Sequence, residues 1–378
     1  MDFTLSKEHT MSRDLFRQFA KAEVEPLAQL IDEEERFPRE TVEKLAKYGF
    51  LGIPIPKAYG GQGCDTLAYA LCIEELSKVC ATTGVIVSAH TSLACEPLLK
   101  AGTEEQRQRF LIPLAKGEKL GAFALTEPNA GTDASGQQTR AHLDGDSYVL
   151  NGSKIFITNG KEADIYVVFA MSDKARGTRG ISAFLVEKGV PGFSFGSKEK
   201  KMGIRGSATY ELIFSDCRIP KENLLGQEGR GFGLAMQTLD GGRIGIAAQA
   251  VGIAAGALER TIAYVKERKQ FGQSIARFQN TQFQIADMQT QVEAARLLVH
   301  KAALAKDTQK KFSVEAAQAK LFASAVAVEV TSKAVQLHGG YGYTREYEVE
   351  RMMRDAKITE IYEGTSEVQR MIISGALL

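Results

Sequence analysis

What limits the fold of this chain most is a change of texture along it. Residues 1–119 and 233–378 carry apolar residues at helical spacing, whereas 120–232 switch to short β-rich runs broken by Gly, Asp, Lys and Pro. "YVLNGSKIFITNG" reads as two strands joined at Asn151-Gly152, because Asn-Gly supplies the positive φ of a tight hairpin. "DIYVVFAM", "ISAFLVE" and "YELIFSDCRIP" are further strands. No helices alternate with these runs. A parallel doubly wound sheet therefore fits poorly, and a small antiparallel β-barrel or sandwich fits better.

The flanking regions have their own punctuation. "TEEQRQRFLIPLAKGE" sets Thr103 three residues before Gln106, the pattern of a capping box. "FPRETVEKLAKYGFLG" places Pro38 at a helix start and Gly49 past its end. Beyond residue 233, Ile285, Met288, Val292, Ala295 and Leu298 recur at steps of three and four. That helix lies between "RIGIAAQAVGIAAGALERTIAYVKERKQF" and "VEAAQAKLFASAVAVEVTSKAVQLHGG", the latter stopped by Gly339 and Gly340. Three long striped helices predict a bundle. The chain thus reads as a helical domain (1–119), a middle β-barrel domain (120–232) and a C-terminal helical bundle (233–378).

Of the 378 residues, 47 are basic and 46 acidic, for a net charge of +1. That balance argues against a nucleic-acid or membrane surface. The densest basic run, "KEKK" at 198–201, reads as a solvated hairpin. No uninterrupted apolar run reaches the ~18–20 residues of a membrane span. The N-terminus is charged from the start and reads as an amphipathic helix rather than a signal peptide. Cys64, Cys72, Cys80, Cys95 and Cys217 form no CxxC pair and read as reduced and buried, as expected in the cytoplasm. The five histidines are scattered singly, so no metal site is expected.

Several stretches could carry chemistry. Neither GxGxxG after a strand nor GxxxxGK[ST] occurs, so a nucleotide would need another framework. "AFALTEPNAGTDASG" (122–136) offers backbone N–H groups and hydroxyls to a polar ring edge or a phosphate. "ERKQFGQSI" (267–275) sets the Arg268 guanidinium near Phe271, which suits a pyrophosphate beside a flat ring. "QLHGGYGYT" (336–344) has glycines that permit close backbone approach, and "LDGGRIG" (239–245) puts Asp240 and Arg243 at the start of a long helix. "EIYEGTSEVQ" (360–369) sets Glu363 between Tyr362 and Gly364 at a break between two helical stretches. Read one at a time, each has an ordinary structural explanation: a turn-rich loop, a basic helix end, a glycine cap, an N-cap, a solvated acid.

In order, "AFALTEPNAGTDASG", "KIFITNG", "ERKQFG", "QLHGGYGY" and "RDAKITEIYEGTSEVQ" resemble the signature segments of the acyl-CoA dehydrogenase family across essentially the whole chain. "LTEPNAGTDASGQQT", "LDGGRIGIAAQA" and "MMRDAKITEIYEGTSEVQ" are closest to its short-chain, butyryl-CoA branch. The resemblance implies a mainly α fold with an N-terminal helical domain, a middle β-barrel and a C-terminal four-helix bundle. It implies FAD held against Phe123, Leu125, Thr126, Thr132, Phe156 and Thr158. Relatives often carry tryptophan at the Phe156 position; phenylalanine keeps the flat apolar face and loses an N–H. The family forms homotetramers, dimers of dimers. Arg268, Gln270, Phe271 and Gln279 would reach the neighbour's FAD, and Gln336, Gly339 and Gly340 would cradle its adenine end. Thr365 and Glu367 would touch the cofactor of their own subunit.

The implied reaction is α,β-desaturation of an acyl-CoA thioester. A base removes the pro-R α-proton while the β-hydrogen leaves as hydride to flavin N5. Glu363 matches the family's base, and its backbone N–H would donate to the thioester oxygen. Some relatives carry the base on the "LDGGR" helix instead; here that position is Gly242, which has no side chain to act. Asp240, Arg243, Tyr362 and Gly364 would contact the substrate, with Thr132 near both flavin and thioester. The implied electron partner is electron-transferring flavoprotein. Fold-sharing oxidases are far longer or replace the glutamate by aspartate, so length and Glu363 favour a dehydrogenase. Keeping Glu363, Arg268 and the "TEP" loop argues against a scaffold without flavin.

Overall fold

The computed structural model describes residues 4–378. The first region holds α1 (Lys7–Phe19), α2 (Glu25–Glu34), α3 (Arg39–Lys47), α4 (Thr66–Ser77), α5 (Ala81–Ser88), α6 (Glu96–Ala101), α7 (Glu104–Gln106) and α8 (Ile112–Ala115). Thr103 and Gln106 close the expected capping box, and Gly49 takes φ 73° after α3. Three joints are π-helical: Ala20–Val24, Ala89–Cys95 and Arg107–Leu111. Each precedes a helix whose first turn holds a proline, namely Pro26, Pro97 or Pro113. Proline offers no N–H and crowds the carbonyl one turn back, so the preceding turn widens.

The middle region is one sheet of β1 (Gly121–Ala124), β2 (Arg140–Asp144), β3 (Ser147–Thr158), β4 (Ile165–Met171), β5 (Ile181–Glu187), β6 (Phe193–Lys198), β7 (Thr209–Pro220) and β8 (Leu224–Leu225). Its order is β6-β7-β3-β2-β4-β5-β8, with β1 parallel to β4. The expected barrel does not close: among the described residues β6 and β8 remain unpaired edges. Between β2 and β4 the ladder narrows to one residue pair, Arg140 with Met171. The reason lies in β4 and β5, which are buried on both faces. Tyr166, Val168 and Ala170 pack inside the curl of the sheet; Ile165, Val167 and Phe169 pack against Leu98, Phe110 and Leu114 of the helices. A sheet that seats helices on its second face has no need to close on itself.

Three local readings also change. Asn151-Gly152 is not a turn; β3 runs through it, and Gly152 (φ 141°) marks a bulge pressed against Thr139. The hairpin from β2 to β3 turns at Gly145 instead. "KEKK" is not a solvated hairpin: Lys201 Nζ donates to Ser207 O at 2.8 Å, and Lys198 reaches Glu35 O of the N-terminal helices. Of the five free cysteines, Cys64 is exposed rather than buried.

The last region is α9 (Gly231–Glu267), β9 (Lys269–Gln270) and β10 (Gln273–Ser274) as a small hairpin, α10 (Gln279–Thr308), α11 (Ser313–His338), α12 (Val349–Lys357) and α13 (Ser366–Leu377). Met288, Val292 and Ala295 of α10 face the common core with Ile244, Ala248 and Val251 of α9 and Ala316, Ala323 and Ala327 of α11. Leu71, Cys72 and Leu76 of α4 join the same core. By length and composition α9 could cross a membrane, but its apolar window is wholly buried inside the protein, the mark of a core helix.

Candidate active site

The centre of the site is the turn between α12 and α13. Ile358–Glu360 is a single 3-10 turn, after which Glu363 adopts φ 52° and Gly364 φ 95°. Left-handed backbone is unfavourable for a glutamate, so neighbouring structure must hold it. Thr365 then caps α13, accepting from Val368 N at 3.4 Å. The Gly364 carbonyl accepts from Lys320 Nζ at 2.7 Å and from Gln369 Nε2 at 2.8 Å. Tyr362 donates its hydroxyl to Gln249 Oε1 on α9, and Gln249 Nε2 donates to Ala81 O at 2.9 Å.

These bonds aim the Glu363 side chain at α9. The residue as a whole is half-buried, but its Oε2 is sealed and has no hydrogen-bond partner. Among the described residues no cation lies within the 4.0 Å ion-pairing distance of the carboxylate. Burial raises its proton affinity to a pKa of about 7, against the opposing positive charges of Lys320 and Arg243. Across from it stands Gly242. A Cβ there would overlap Glu363 Oε2 and come within 2.8 Å of Leu93 Cδ2. The missing side chain of Gly242 is therefore the space the carboxylate occupies.

Asp240 and Arg243 do not lie at the start of α9, which begins at Gly231, but within two residues of Gly242 in its interior. Arg243 is buried and ion-paired to Asp240, and burial lowers its pKa. Ser313 Oγ holds the second Asp240 oxygen at 2.5 Å. Glu363, Tyr362, Gly364, Asp240 and Arg243 are thus brought together.

The other residues fall into separate places. Arg268, Gln270, Gln336, Gly339 and Gly340 line one groove of about 480 Å³ with Tyr264 and Tyr341. The Arg268 guanidinium sits 5.3 Å from the centre of the Tyr341 ring, and a Cβ on Gly339 or Gly340 would meet nothing within 4 Å. Phe271 is 93% exposed at the tip of the β9–β10 hairpin; it and Gln279 lie outside that groove. Along the β1–β3 edge, Thr126 O accepts from Ile155 N at 2.9 Å, which brings Phe123, Leu125 and Thr126 beside Phe156 and Thr158. Phe156 takes φ 58° and is 59% exposed. Buried Lys154 pins the adjoining loop, donating to Leu125 O at 3.0 Å, Glu127 Oε1 at 2.7 Å and Gln137 Oε1 at 3.1 Å. Thr132 is exposed in that loop and Glu367 is exposed on α13, neither tied to the Glu363 cluster.

Three family models match the chain: the acyl-CoA dehydrogenase N-terminal domain over residues 6–118, the middle domain over 122–217 and the C-terminal domain over 229–378. The chain belongs to the acyl-CoA dehydrogenase family. It is 61% identical, over the full length of both chains, to a short-chain specific acyl-CoA dehydrogenase of Clostridium acetobutylicum. Among solved structures it matches butyryl-CoA dehydrogenase from Megasphaera elsdenii at 53% identity and TM-score 0.98, both chains covered in full. A chain from a structural study of the electron transferring flavoprotein of Acidaminococcus fermentans matches at 58% identity and TM-score 0.99, again with full coverage.

Members of this family are FAD flavoproteins and oxidoreductases. The residues here fit that cofactor. Phe156 presents an uncovered aromatic face beside Thr126 and Thr158, and the Arg268 groove joins a fixed cation to an open glycine floor.

Lys320, Gln249, Leu93 and Gln369 were not among the residues singled out in the sequence. For Lys320 there was a signal: it falls in the stripe Ala316, Ala319, Ala323 and Ala327, on the face of α11 that must be buried.

Proposed function

We propose that this protein interconverts butyryl-CoA and crotonyl-CoA, with Glu363 as the base that takes the α-proton. One observation carries the reading: a carboxylate sealed on Oε2, unpaired, with a pKa of about 7, filling the space left by Gly242. A base poised near neutrality accepts a proton from carbon and can return it in the reverse reaction. As the α-proton moves to a Glu363 oxygen, negative charge develops on the thioester oxygen. The backbone N–H of Glu363 serves there as donor, held in place by the Lys320 and Gln369 bonds to Gly364 O. Bound FAD would supply the hydride acceptor. Phe123, Leu125, Thr126, Thr132, Phe156 and Thr158 would hold its ring, and Thr365 and Glu367 its remaining length.

Asp240 and Arg243 would bind the CoA portion, with the apolar start of the tail near Tyr362. Arg268, Gln270, Phe271, Gln279, Gln336, Gly339 and Gly340 would serve the neighbour's FAD in a dimer of dimers. The 93% exposure of Phe271 in one chain supports this, because a second copy would cover it. Electron-transferring flavoprotein is the partner and the cytoplasm the compartment of this reading, with the chain divided at 119/120 and 232/233. The test is anaerobic addition of acyl-CoAs of four to eight carbons to the yellow protein. Butyryl-CoA is expected to bleach the visible flavin band fastest. A colourless protein that takes up no FAD, or preferential bleaching by the eight-carbon substrate, would overturn the proposal.

A further inference from the structure

Lys320 is fully buried in the first half of α11. Its ammonium has one partner in the chain among the described residues, the neutral carbonyl of Gly364 at 2.7 Å. No carboxylate approaches Nζ to within ion-pairing distance among the described residues. Burying an ammonium without a counter-charge is costly, and such groups persist where their charge is used. The carbonyl it holds belongs to the residue after Glu363, whose own backbone sits at φ 52°.

We propose that Lys320 is a positioning residue for the Glu363 base. Its ammonium clamps the Gly364 carbonyl, so the turn keeps its left-handed geometry, and it faces the carboxylate with a positive charge that favours the ionised form.

The surrounding charges single Lys320 out. Arg243 on α9 also faces Glu363, but it is tied to Asp240, which cancels much of its field. From the preceding turn Glu360 faces Lys320, and from α13 Glu367, both at longer range than the clamp. Tyr69 of α4 and Tyr362 face Glu363 as neutral hydroxyls, each pushed to higher pKa by burial. Burial lowers Lys320 itself to about 8, and the Glu363 charge opposes that shift, as reciprocal coupling requires. Gln369 shares the carbonyl but carries no charge, so it can shape the turn without biasing the base.

The inference rests on Glu363 being the base, and the experiment separates the two. Lys320→Met keeps the buried stem and removes charge and donor; Lys320→Gln is the second variant should the first fold poorly. The readout is the infrared titration of the Glu363 carboxyl in resting holoenzyme, with Glu363→Gln as the blank. No turnover is needed. The midpoint is expected to rise by about one pH unit, which takes the ionised fraction at pH 7 from about a half to about a tenth. The acidic limb of kcat/KM should move with it, a fall of about fivefold at pH 7. A midpoint that stays put or falls overturns the role, as does failure of both variants to fold with FAD, which would mark Lys320 as purely structural. Full activity in Glu363→Gln would instead overturn the base assignment, whatever the midpoint does.

Discussion

Gly242→Ala adds one methyl group at the point where α9 meets the base. The new Cβ would overlap Glu363 Oε2 and press on Leu93 Cδ2 at 2.8 Å. Helix propensity alone favours alanine by about 1 kcal/mol, while forcing a methyl into a filled space costs about 1–3 kcal/mol. The variant should therefore be destabilised by no more than about 2 kcal/mol and stay folded. The carboxylate, being the freer neighbour, must retreat by roughly 1 Å to reach ordinary contact. A displacement of that size at a reacting group costs on the order of 10²-fold in rate. The assay is steady-state butyryl-CoA oxidation with a dye acceptor, alongside a urea melt and the flavin spectrum. The expected variant is yellow, folded and slower in kcat by about two orders of magnitude. A yellow, folded variant with kcat within threefold of the parent would refute the claim that Gly242 makes room for the base.

Two further outcomes follow from the same geometry. The Glu363 carboxyl has a folded pKa of about 7 against 4.5 for an ordinary glutamate, so it binds its proton more tightly when folded. Its favourable contribution is thus complete below about pH 4.5 and lost as pH rises through 7. Glu363→Gln should be more stable than the parent at pH 8 by roughly 1–3 kcal/mol, discounted for partial exposure, with the gap closing by pH 5. Urea unfolding at both pH values checks this, and an equal gap at both would contradict it. Arg268→Ala removes the cation stacked 5.3 Å from the Tyr341 ring centre. It should weaken FAD retention on dilution by tenfold or more, while KM for acyl-CoA moves less. The reverse ordering would remove Arg268 from the cofactor's binding set.

The helices were legible because their signals are local. The Thr103–Gln106 box, the Gly49 and Gly339 stops and the α10 stripe all stand where the spacing put them. The middle region was harder. Asn151-Gly152 carries the dipeptide of a tight turn, yet long-range pairing of β3 with β7 overrides it and uses the glycine for a bulge against Thr139. The barrel failed to close for a similar reason, since nothing within the strands announces that β4 and β5 must also seat helices. At the site, Glu363 stood out through ordered motifs, and Gly242 through its place in "LDGGR". Lys320 lies 43 residues before Glu363 and meets its turn only in three dimensions. A buried stripe position hinted at it, but no short-range pattern could name its partner. Arg243 reads as lying near a helix start, because the first turns of α9 lack a side-chain cap to mark where it begins.

The central claim is that Glu363 takes the α-proton, and Glu363→Gln tests it most directly. Its side chain keeps the shape of the carboxylate, and the amide needs no new space. The measurement is the rate of flavin bleaching by butyryl-CoA under anaerobic conditions, in protein shown by its visible spectrum to hold FAD. The account predicts full FAD content and a rate lower by ~10³-fold or more, as when a general base is lost. A yellow Glu363→Gln protein that bleaches at the parent rate would contradict it.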